Sequence, residues 1–360
     1  MQKELYYLLA ILVLFVSCER IYHPAIEKVE GQLIVDAKIT NDPAKSLVHL
    51  SKTRSFYDVE RPIEISGAKV ELVQMGGVAG FAVQASERNT GYYTFNTAPQ
   101  SGNRYYLRLT IGSDVYESLA VTMPPIPALT NFYTIDKVSK IYVADAQGNP
   151  KPFEKRGREI DVDLPVNESL SHYRFDVRSL LEWTWDSIPS AYSIYPTAYG
   201  WQSYFQHQNF NLAGPTGFNQ VDQIKNHPLL LISYEVKDYL YTDTLASKGW
   251  ILIIDQYGTS TESYEFHQQL NNQFAATGSL FDPVQTQVTG NILCKTDPTQ
   301  IVYGYFDLNS YQQYRYYFNV FSPSVAPVIR QLYRFPDIPD YGFVKAVNKK
   351  PIVKPSWWEE

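Results

Sequence analysis

Two aspartates that could act as a catalytic pair lie close together in the sequence "REIDVDL". Asp161 and Asp163 are two residues apart, so on a strand their carboxylates would share one face. Such a pair can hydrolyse a glycosidic bond, with one carboxylic acid as proton donor and the other as base or nucleophile. A solvated strand face produces the same pattern, and we favour that simpler interpretation because the sequence does not fix the distance between the carboxylates.

The other residue types that carry out catalysis show no recognisable arrangement. The chain lacks a glycine-rich phosphate loop, an HExxH helix and a GxSxG nucleophile turn, and its six histidines show no metal-ligand spacing. Cys294, in "GNILCKT", is predicted to be a small buried strand residue, and His267 is predicted to be structural. We therefore expect no metal, no cofactor and no enzymatic activity. A hydrolase that uses Asp161, Asp163 or Cys294 is the least favoured hypothesis.

The context of Cys18 predicts a chemical modification. Lys3 precedes an apolar run at residues 5–16, and Ser17 comes directly before Cys18. A basic residue, about 7–15 apolar residues and a small residue form a secretory signal, and the run is shorter than the roughly 20 residues that span a membrane. The sequence "FVSC" resembles a bacterial lipobox, which implies cleavage before Cys18 and attachment of acyl chains to it. An ordinary secretory signal with an incidental cysteine is the alternative.

Lipid attachment would determine where the protein is located. Two or more acyl chains hold a protein stably on a membrane, and no other apolar run is long enough to span one. We predict a signal peptide at 1–17, a polar tether at 18–28 and a membrane anchor at Cys18. With only two cysteines in the chain, no disulfide framework is expected. The net charge of −6 and the lack of a Lys/Arg block argue against a nucleic-acid partner.

Aromatic residues form the best candidate for a binding surface. The chain contains 29 Tyr, 18 Phe and 6 Trp, and many of them crowd into one insert of the second half. The candidate ligand-binding or partner-binding residues are Trp183, Trp185, Tyr195, Tyr199, Trp201 and Tyr204. Aromatic faces stack on sugar rings and on peptide side chains, and they dominate protein interfaces. The alternative is that these rings fill a core or cover the edge of a sheet.

The elements that would position these residues are mostly strands. Apolar and polar residues alternate in "QLIVDAKI" and "RYYLRLT", which is the period-two pattern of strands with one buried face. Several short strands predict an antiparallel β-sandwich at 29–123. It resembles the transthyretin-like, carboxypeptidase-regulatory or Ig-like modules of exported proteins. The proline-rich sequence "MPPIPAL" predicts a linker at 124–130.

The region 131–345 is predicted to be a second β-rich, sandwich-like domain with one prominent α-helix at about 260–276. Its strands include "REIDVDL", "HYRFDVR" and "GWILIIDQY". Thr259 and Glu262 have the spacing of a capping box, and an apolar stripe is expected to pack on the core. The stripe consists of Phe266, Leu270 and Phe274. A tail at 346–360 would dock on its own domain or contact a partner. The predicted fold class is mostly β, with two sandwich-like domains.

The region from Ser263 to Ser310 is similar to the signature region of a Bacteroidetes lipoprotein family that is known as a domain of unknown function. The similarity rests on the helix, on "GSLFDP", on "GNI" and on "YGYF". The resemblance implies an outer-membrane lipoprotein that is encoded beside a SusC-like TonB-dependent transporter. It implies no catalytic residue, and only lipidation at Cys18 transfers. Surface display in such bacteria is associated with acidic residues after the lipid cysteine, and here only Glu19 is present, followed by Arg20.

Three hypotheses follow from these observations. The first is a non-enzymatic accessory or binding component of a TonB-dependent nutrient-uptake system, anchored in the outer membrane and exposed on the cell surface. The second is a free-standing surface protein that binds a glycan, and a peptide ligand is also compatible with the aromatic insert. The third is the uncharacterised hydrolase described above.

Overall fold

The computed structural model describes residues 31–54, 62–76, 82–129, 131–145, 147–185, 198–205, 210–215, 222–233, 245–275, 288–318 and 329–331. The fold is mostly β, with several sheets and a single α-helix in these residues, so the predicted fold class is confirmed. Cys18, Tyr195, the tether and the tail at 346–360 lie outside the described residues. None of the helices in the described ranges is both long enough and apolar enough to cross a membrane.

The first part of the chain forms ten strands, most of them short. They are β1 (Leu33–Thr40), β2 (Leu47–Lys52), β3 (Ile63–Glu64), β4 (Lys69–Gln74), β5 (Ala82–Gln84), β6 (Ser86–Asn89), β7 (Tyr92–Thr94), β8 (Arg104–Ile111), β9 (Asp114–Ser118) and β10 (Val121–Thr122). In β1 and β8 buried residues alternate with more exposed ones, as the period-two pattern predicted.

The remaining strands are longer, and one helix interrupts them. The elements are β11 (Asn131–Ala144), β12 (Pro150–Pro165), β13 (His172–Trp185), β14 (Ala198–Phe205), β15 (Asn211–Ala213), β16 (Gln223–Ser233), β17 (Leu245–Thr259), α1 (Thr261–Ala275), β18 (Ile292–Cys294), β19 (Val302–Phe318) and β20 (Ile329–Gln331). The predicted helix at about 260–276 agrees with α1.

One large sheet connects the two parts of the chain. Its strand order is β14-β13-β17-β19-β1-β2-β7-β6, with β15, β20 and β3 beside β13, β19 and β2. A six-stranded sheet has the order β18-β9-β8-β4-β5, with β10 beside β8, and a three-stranded sheet has the order β11-β12-β16. The connection is the parallel pair of β1 and β19, which extends from Leu33 opposite Val302 to Thr40 opposite Asn309.

Two hydrophobic cores lie against the large sheet. The first core contains Val35, Leu50, Val70, Leu107 and Leu109, and the C-terminal residues Ile292, Cys294, Phe306 and Leu308 complete it. The second core contains Ile160, Val162, Phe175, Trp250, Leu252 and Tyr316. Alternate residues of β19 therefore serve both cores on one face of the sheet. The predicted boundaries at 29–123, 124–130 and 131–345 stay predictions, because β18 and β19 contribute to the first core.

Helix α1 packs on the opposite face of the large sheet, and its contacts differ from those predicted. Its buried residues are Ser263 and His267, whereas Phe274 of the predicted apolar stripe is 62 % exposed. The side chain of Ser260 accepts the Ser263 N–H at 3.2 Å and so caps the helix. The capping box predicted from Thr259 is wrong, because the helix begins one residue later than that spacing requires.

Candidate functional site

A cleft of about 940 Å³ opens between the first core and helix α1. One wall consists of residues 101, 102, 104 and 119–125, which surround β10. The opposite wall consists of the loop 168–171 and the first turns of α1, and residues 289–291 with Tyr305 complete the lining. Concave sites of this size are typical of ligand-binding sites in proteins.

The two walls of the cleft carry opposite charges. Arg104 lies on the wall of the first core, where its guanidinium donates a hydrogen bond to the carbonyl oxygen of Ala120 at 3.4 Å. Glu168, Glu262 and Glu265 line the other wall. Among the described residues, no cationic side chain pairs with these three carboxylates. The cleft therefore has an excess of negative charge and attracts cationic groups of a ligand toward the α1 side.

The uncharged lining combines hydroxyl groups with an aromatic pair. Phe266 of α1 stacks on Tyr305 of β19, with 4.3 Å between ring centroids and an interplanar angle of 23°. Burial raises the pKa of Tyr305, and Asp307 acts in the same direction, so its hydroxyl stays neutral at physiological pH. The hydroxyl-bearing lining residues, besides Tyr305, are Ser101, Thr122, Ser169, Ser171, Thr259, Ser260, Thr261 and Thr289. Such a surface can donate and accept hydrogen bonds while one ring provides an apolar contact.

A buried ionic network holds the helix that forms this wall. Arg174 of β13 donates through Nη1 to Oδ2 of Asp307 on β19 at 2.7 Å. Ser263 of α1 donates through Oγ to the other oxygen of Asp307 at 2.5 Å. Each of these three residues is at least nine-tenths buried. The network thus joins two strands of the large sheet to the first turn of α1.

His267 completes the network as a neutral imidazole. Its Nδ1 lies 2.8 Å from the carbonyl oxygen of Ser263, and its Nε2 lies 2.9 Å from Nη1 of Arg174. Because a carbonyl only accepts and a guanidinium only donates, Nδ1 carries the proton. Burial lowers the pKa of His267, and Arg174 lowers it further against the opposing effect of Asp307. Burial disfavours the charged form of Asp307, but the Arg174 guanidinium, with the hydrogen bond from Ser263, outweighs it and lowers the pKa of that carboxyl.

The serine, histidine and aspartate of this network are not arranged as a nucleophile and its base. In a catalytic triad the histidine takes the proton of the serine and the aspartate orients the histidine. Here Ser263 donates directly to Asp307, and the Nδ1–H of His267 is bonded to a carbonyl of its own helix. All three side chains are buried. The arrangement positions α1, as the predicted structural role of His267 required.

The predicted carboxylate pair lies on β12, away from the cleft lining. Asp161 is 1 % exposed, and burial raises its pKa, with Glu159 acting in the same direction. Asp163 accepts hydrogen bonds from the Tyr133 hydroxyl at 3.1 Å and from the Asn226 N–H at 2.9 Å. The predicted solvated face is wrong for Asp161, because β12 is the central strand of its sheet. Both hydrogen bonds of Asp163 join β12 to a neighbouring strand, so the role of this carboxylate is structural.

Cys294 is a buried residue of the first core, as predicted. Its sulfur lies 3.3 Å from Oγ1 of Thr296 and accepts the Asp297 N–H at 3.3 Å. The sulfur therefore stabilises the turn that follows β18. Within the described ranges, no group of three or more His, Cys, Asp or Glu residues is placed to hold a metal ion.

The aromatic insert forms a strand pair at one end of the large sheet. Trp183 and Trp185 end β13, while Tyr199, Trp201 and Tyr204 belong to β14. In the register, Trp201 is opposite Glu182, Tyr199 is opposite Thr184 and Tyr204 is opposite Ser179. The described residues that line the cleft belong to neither β13 nor β14. The aromatic candidates and the cleft are therefore two separate places, and the sequence indicated only the first.

The cleft residues carried little signal in the sequence. Glu262 and Glu265 are three residues apart on one helix, which is the one pattern that placed two of them together. Arg104 and Glu168 come from distant segments and belong to no motif. Only the fold, which brings the β8–β10 region against α1, assembles them.

One comparison with known families gives a match. The model of the family described as "Domain of unknown function (DUF4249)" matches residues 19–315. That range includes the first core, α1, most of β19 and every residue of the second core except Tyr316. No curated protein matches the chain.

Proposed function

The chain belongs to this family of unknown function, DUF4249, and from that membership we propose that it is a lipid-anchored, non-enzymatic binding component of an outer-membrane TonB-dependent uptake system. The resemblance to Bacteroidetes lipoproteins encoded beside SusC-like transporters supports this assignment. Lipid on Cys18 would hold the protein on the membrane and orient it for contact with the transporter. Display on the cell surface is part of the same proposal.

The observation that carries the proposal is the cleft with opposed charges on walls from two parts of the fold. A binding component needs a preformed concave site whose polar groups are free to contact a ligand. Glu168, Glu262 and Glu265 face the cleft without a cation from the described residues. The buried network of Arg174 and Asp307 fixes the helix behind them. Such support preorganises a site for binding, since the wall does not have to be ordered when the ligand arrives.

A co-purification experiment tests the proposed partner. An affinity tag inserted after Gly76, in an exposed turn with φ +72°, lies far from the lipidated end in sequence. Outer membranes would be dissolved in mild detergent, and the co-purified proteins would be identified and quantified. We expect a TonB-dependent transporter in a one-to-one ratio. Recovery of the tagged protein from the outer membrane without a transporter would contradict the proposed partnership.

The second candidate function is free-standing glycan binding, and the aromatic strands β13 and β14 at the end of the large sheet favour it. A glycan array with the wild-type chain and two variants would separate the two locations. Trp201→Ala changes the aromatic strand pair, and the double variant Glu262→Gln with Glu265→Gln changes the cleft. Loss of binding only in the tryptophan variant would support the second candidate. Loss only in the cleft variant would support the first.

A further inference from the structure

Strand β11 is a long regular edge strand. It pairs with β12 from Asn131 opposite Asp163 to Ala144 opposite Pro150 without a register shift, and it contains no proline. Among the described residues, β12 is the only strand beside it. Proteins usually protect such an edge with a bulge, a proline or a short length, because its free backbone groups pair readily with another chain.

The end of the β11–β12 ribbon that lies farther from the second core exposes apolar side chains on one face. At the other end of the ribbon, the same face contacts the second core. Val138 is 53 % exposed and Tyr142 is 72 % exposed. They lie in alternation with Phe132, which stacks on Tyr316 of the core at 3.9 Å. Within the described part of the chain, the third strand of this sheet, β16, pairs with β12 as far as Gly157. Two strands alone are marginally stable in water. An additional strand would therefore stabilise most the part of β11 and β12 that lies beyond Gly157.

The hydrogen bonds at the ribbon tip show which residues of β11 offer their backbone outward. The Asp145 N–H donates to the carbonyl oxygen of Asn149 at 2.9 Å. Hydrogen-bonded and non-bonded pairs alternate in an antiparallel ladder, so Val143 bonds to β12 and Tyr142 does not. Pro152, opposite Tyr142, has no N–H and fits that alternation. The even-numbered residues of β11, among them Val138, therefore point their N–H and C=O groups away from β12.

The even-numbered residues of β11 are complementary to themselves in one antiparallel register. When a two-fold axis passes through Val138, Asp136 is opposite Lys140 of a second copy, and Lys140 is opposite that copy's Asp136. Asp136 also pairs with Arg158 of its own chain at 3.1 Å, while Lys140 forms no ion pair with the described residues. Moving the axis by one residue separates these charges, and moving it by two residues places like charges opposite each other. Opposite charges in directly facing positions stabilise a strand pair, and like charges destabilise it.

We propose that β11 pairs antiparallel with β11 of a second copy of this chain, with the two-fold axis at Val138, to form a homodimer with one continuous six-stranded sheet. The interface is isologous, so every contact occurs twice, as closed two-fold dimers require. It covers Val138 and Tyr142 and satisfies the outward backbone groups of β11. The partner is identified by the charge pattern, because Asp136 and Lys140 specify this register and no other. The pairing leaves the cleft and the aromatic strand β14 unoccupied.

Sedimentation equilibrium of the full chain, purified from membranes in density-matched detergent, tests the proposal. We expect a monomer–dimer equilibrium. Lys140→Asp places carboxylates opposite each other twice and raises the dimer dissociation constant by about tenfold or more at low salt. Adding Asp136→Lys to that variant restores opposite charges and recovers dimerisation. A wild-type chain that stays monomeric at every concentration, or a Lys140→Asp variant that dimerises like the wild type, overturns the proposal.

Two further variants keep the test independent of folding. Val138→Pro removes an outward N–H and leaves the bonds to β12 in place, so circular dichroism should be unchanged while the dimer is lost. Val138→Cys places two thiols across the two-fold axis, where facing Cα atoms are about 5.5 Å apart, within disulfide range. Oxidation should yield a disulfide dimer in that variant and none in the control Leu293→Cys. Leu293 is an exposed residue of β18 and lies outside the proposed dimer sheet. Equal cross-linking of both variants would refute the register.

Discussion

At the scale of single residues, the buried pair of Arg174 and Asp307 determines how firmly α1 is held. Both side chains are almost fully buried, and removal of one partner leaves an uncompensated charge in the interior. We expect Asp307→Asn to lower the free energy of unfolding by about 3–5 kcal/mol, measured by urea denaturation. The matched control is Glu154→Gln, which removes an exposed ion pair with Arg156 and should cost less than about 1 kcal/mol. Equal losses in both variants would contradict a buried-charge role for Asp307.

Histidine burial predicts how stability depends on pH. Burial lowers the pKa of His227 to about 4, and it also lowers the pKa of His267 and of His172. An unfolded histidine titrates near 6.5, so the unfolded chain takes up protons first as the pH falls. Stability should therefore be constant above about pH 7 and should decrease from about pH 6.5 to pH 4. For His227 alone the loss is up to about 3 kcal/mol.

Urea unfolding at a series of pH values measures this loss. His227→Gln retains an amide that can bond to Asn211, the present partner of Nε2 at 2.6 Å. The variant should show a shallower decrease between pH 6.5 and pH 4 than the wild type. A variant with the same pH profile as the wild type would mean that His227 is accessible to protons in the folded chain.

At the scale of elements, the alternation of residue types predicted strands such as β1 and β8 well, because these strands bury one face in a hydrophobic core. The approximate bounds of α1 followed from the capping-box spacing of Thr259 and Glu262 and from the repeat of Phe266, Leu270 and Phe274. The buried face of α1 did not follow, because it is polar. His267 and Ser263 pack on Arg174 and Asp307, which are 93 and 44 residues away in sequence. The spacing of apolar residues along a helix cannot reveal a face whose partners are buried charges on another element.

The contact between the "GNI" and "YGYF" segments depends on two glycines. A Cβ atom on Gly304 would collide with the backbone oxygen of Val35, where β1 and β19 pair in parallel, and Gly304 has φ +92°. A Cβ atom on Gly290 would likewise collide with the backbone oxygen of Gly304. These positions explain why small residues occur in both segments, since the strand backbones meet without room for a side chain.

Gly304→Ala should therefore destabilise the protein much more than a glycine-to-alanine change in an open turn. The control is Gly102→Ala. Gly102 has φ +83°, and a Cβ added there meets open space, so the backbone strain of about 1–2 kcal/mol is the only cost. Gly304→Ala adds the collision with Val35 and should exceed the control by at least about 1 kcal/mol. Urea midpoints of the two variants provide the comparison. If both variants shift the urea midpoint equally, the parallel pair of β1 and β19 accommodates a Cβ atom at residue 304 without a collision, contrary to this prediction.

At the scale of the whole molecule, the two hydrophobic cores share strand β19. The sequence pattern could not predict that one strand contributes to both cores. The proline-rich segment 124–130 suggested a division because it interrupts regular structure. Yet β19 supplies Phe306 and Leu308 to the first core and Tyr316 to the second. The parallel pairing of β1 with β19 joins residues about 270 positions apart, and no local pattern encodes such a contact. The cleft has the same origin, since its walls meet only after that strand is in place.

This connection predicts that both cores unfold together. Loss of either core exposes half of β19 and breaks its pairing with β1 or β17, so neither core should persist alone. Leu109→Ala removes a buried side chain from the first core, and Ile254→Ala removes one from the second. Each should cost about 2–5 kcal/mol, and each should lower the temperature of one common transition in calorimetry. The ratio of van't Hoff to calorimetric enthalpy should be close to 1 in all three proteins. Two separate transitions, with each variant shifting only one of them, would show that β19 does not couple the cores and that the predicted domain boundary is also a boundary of stability.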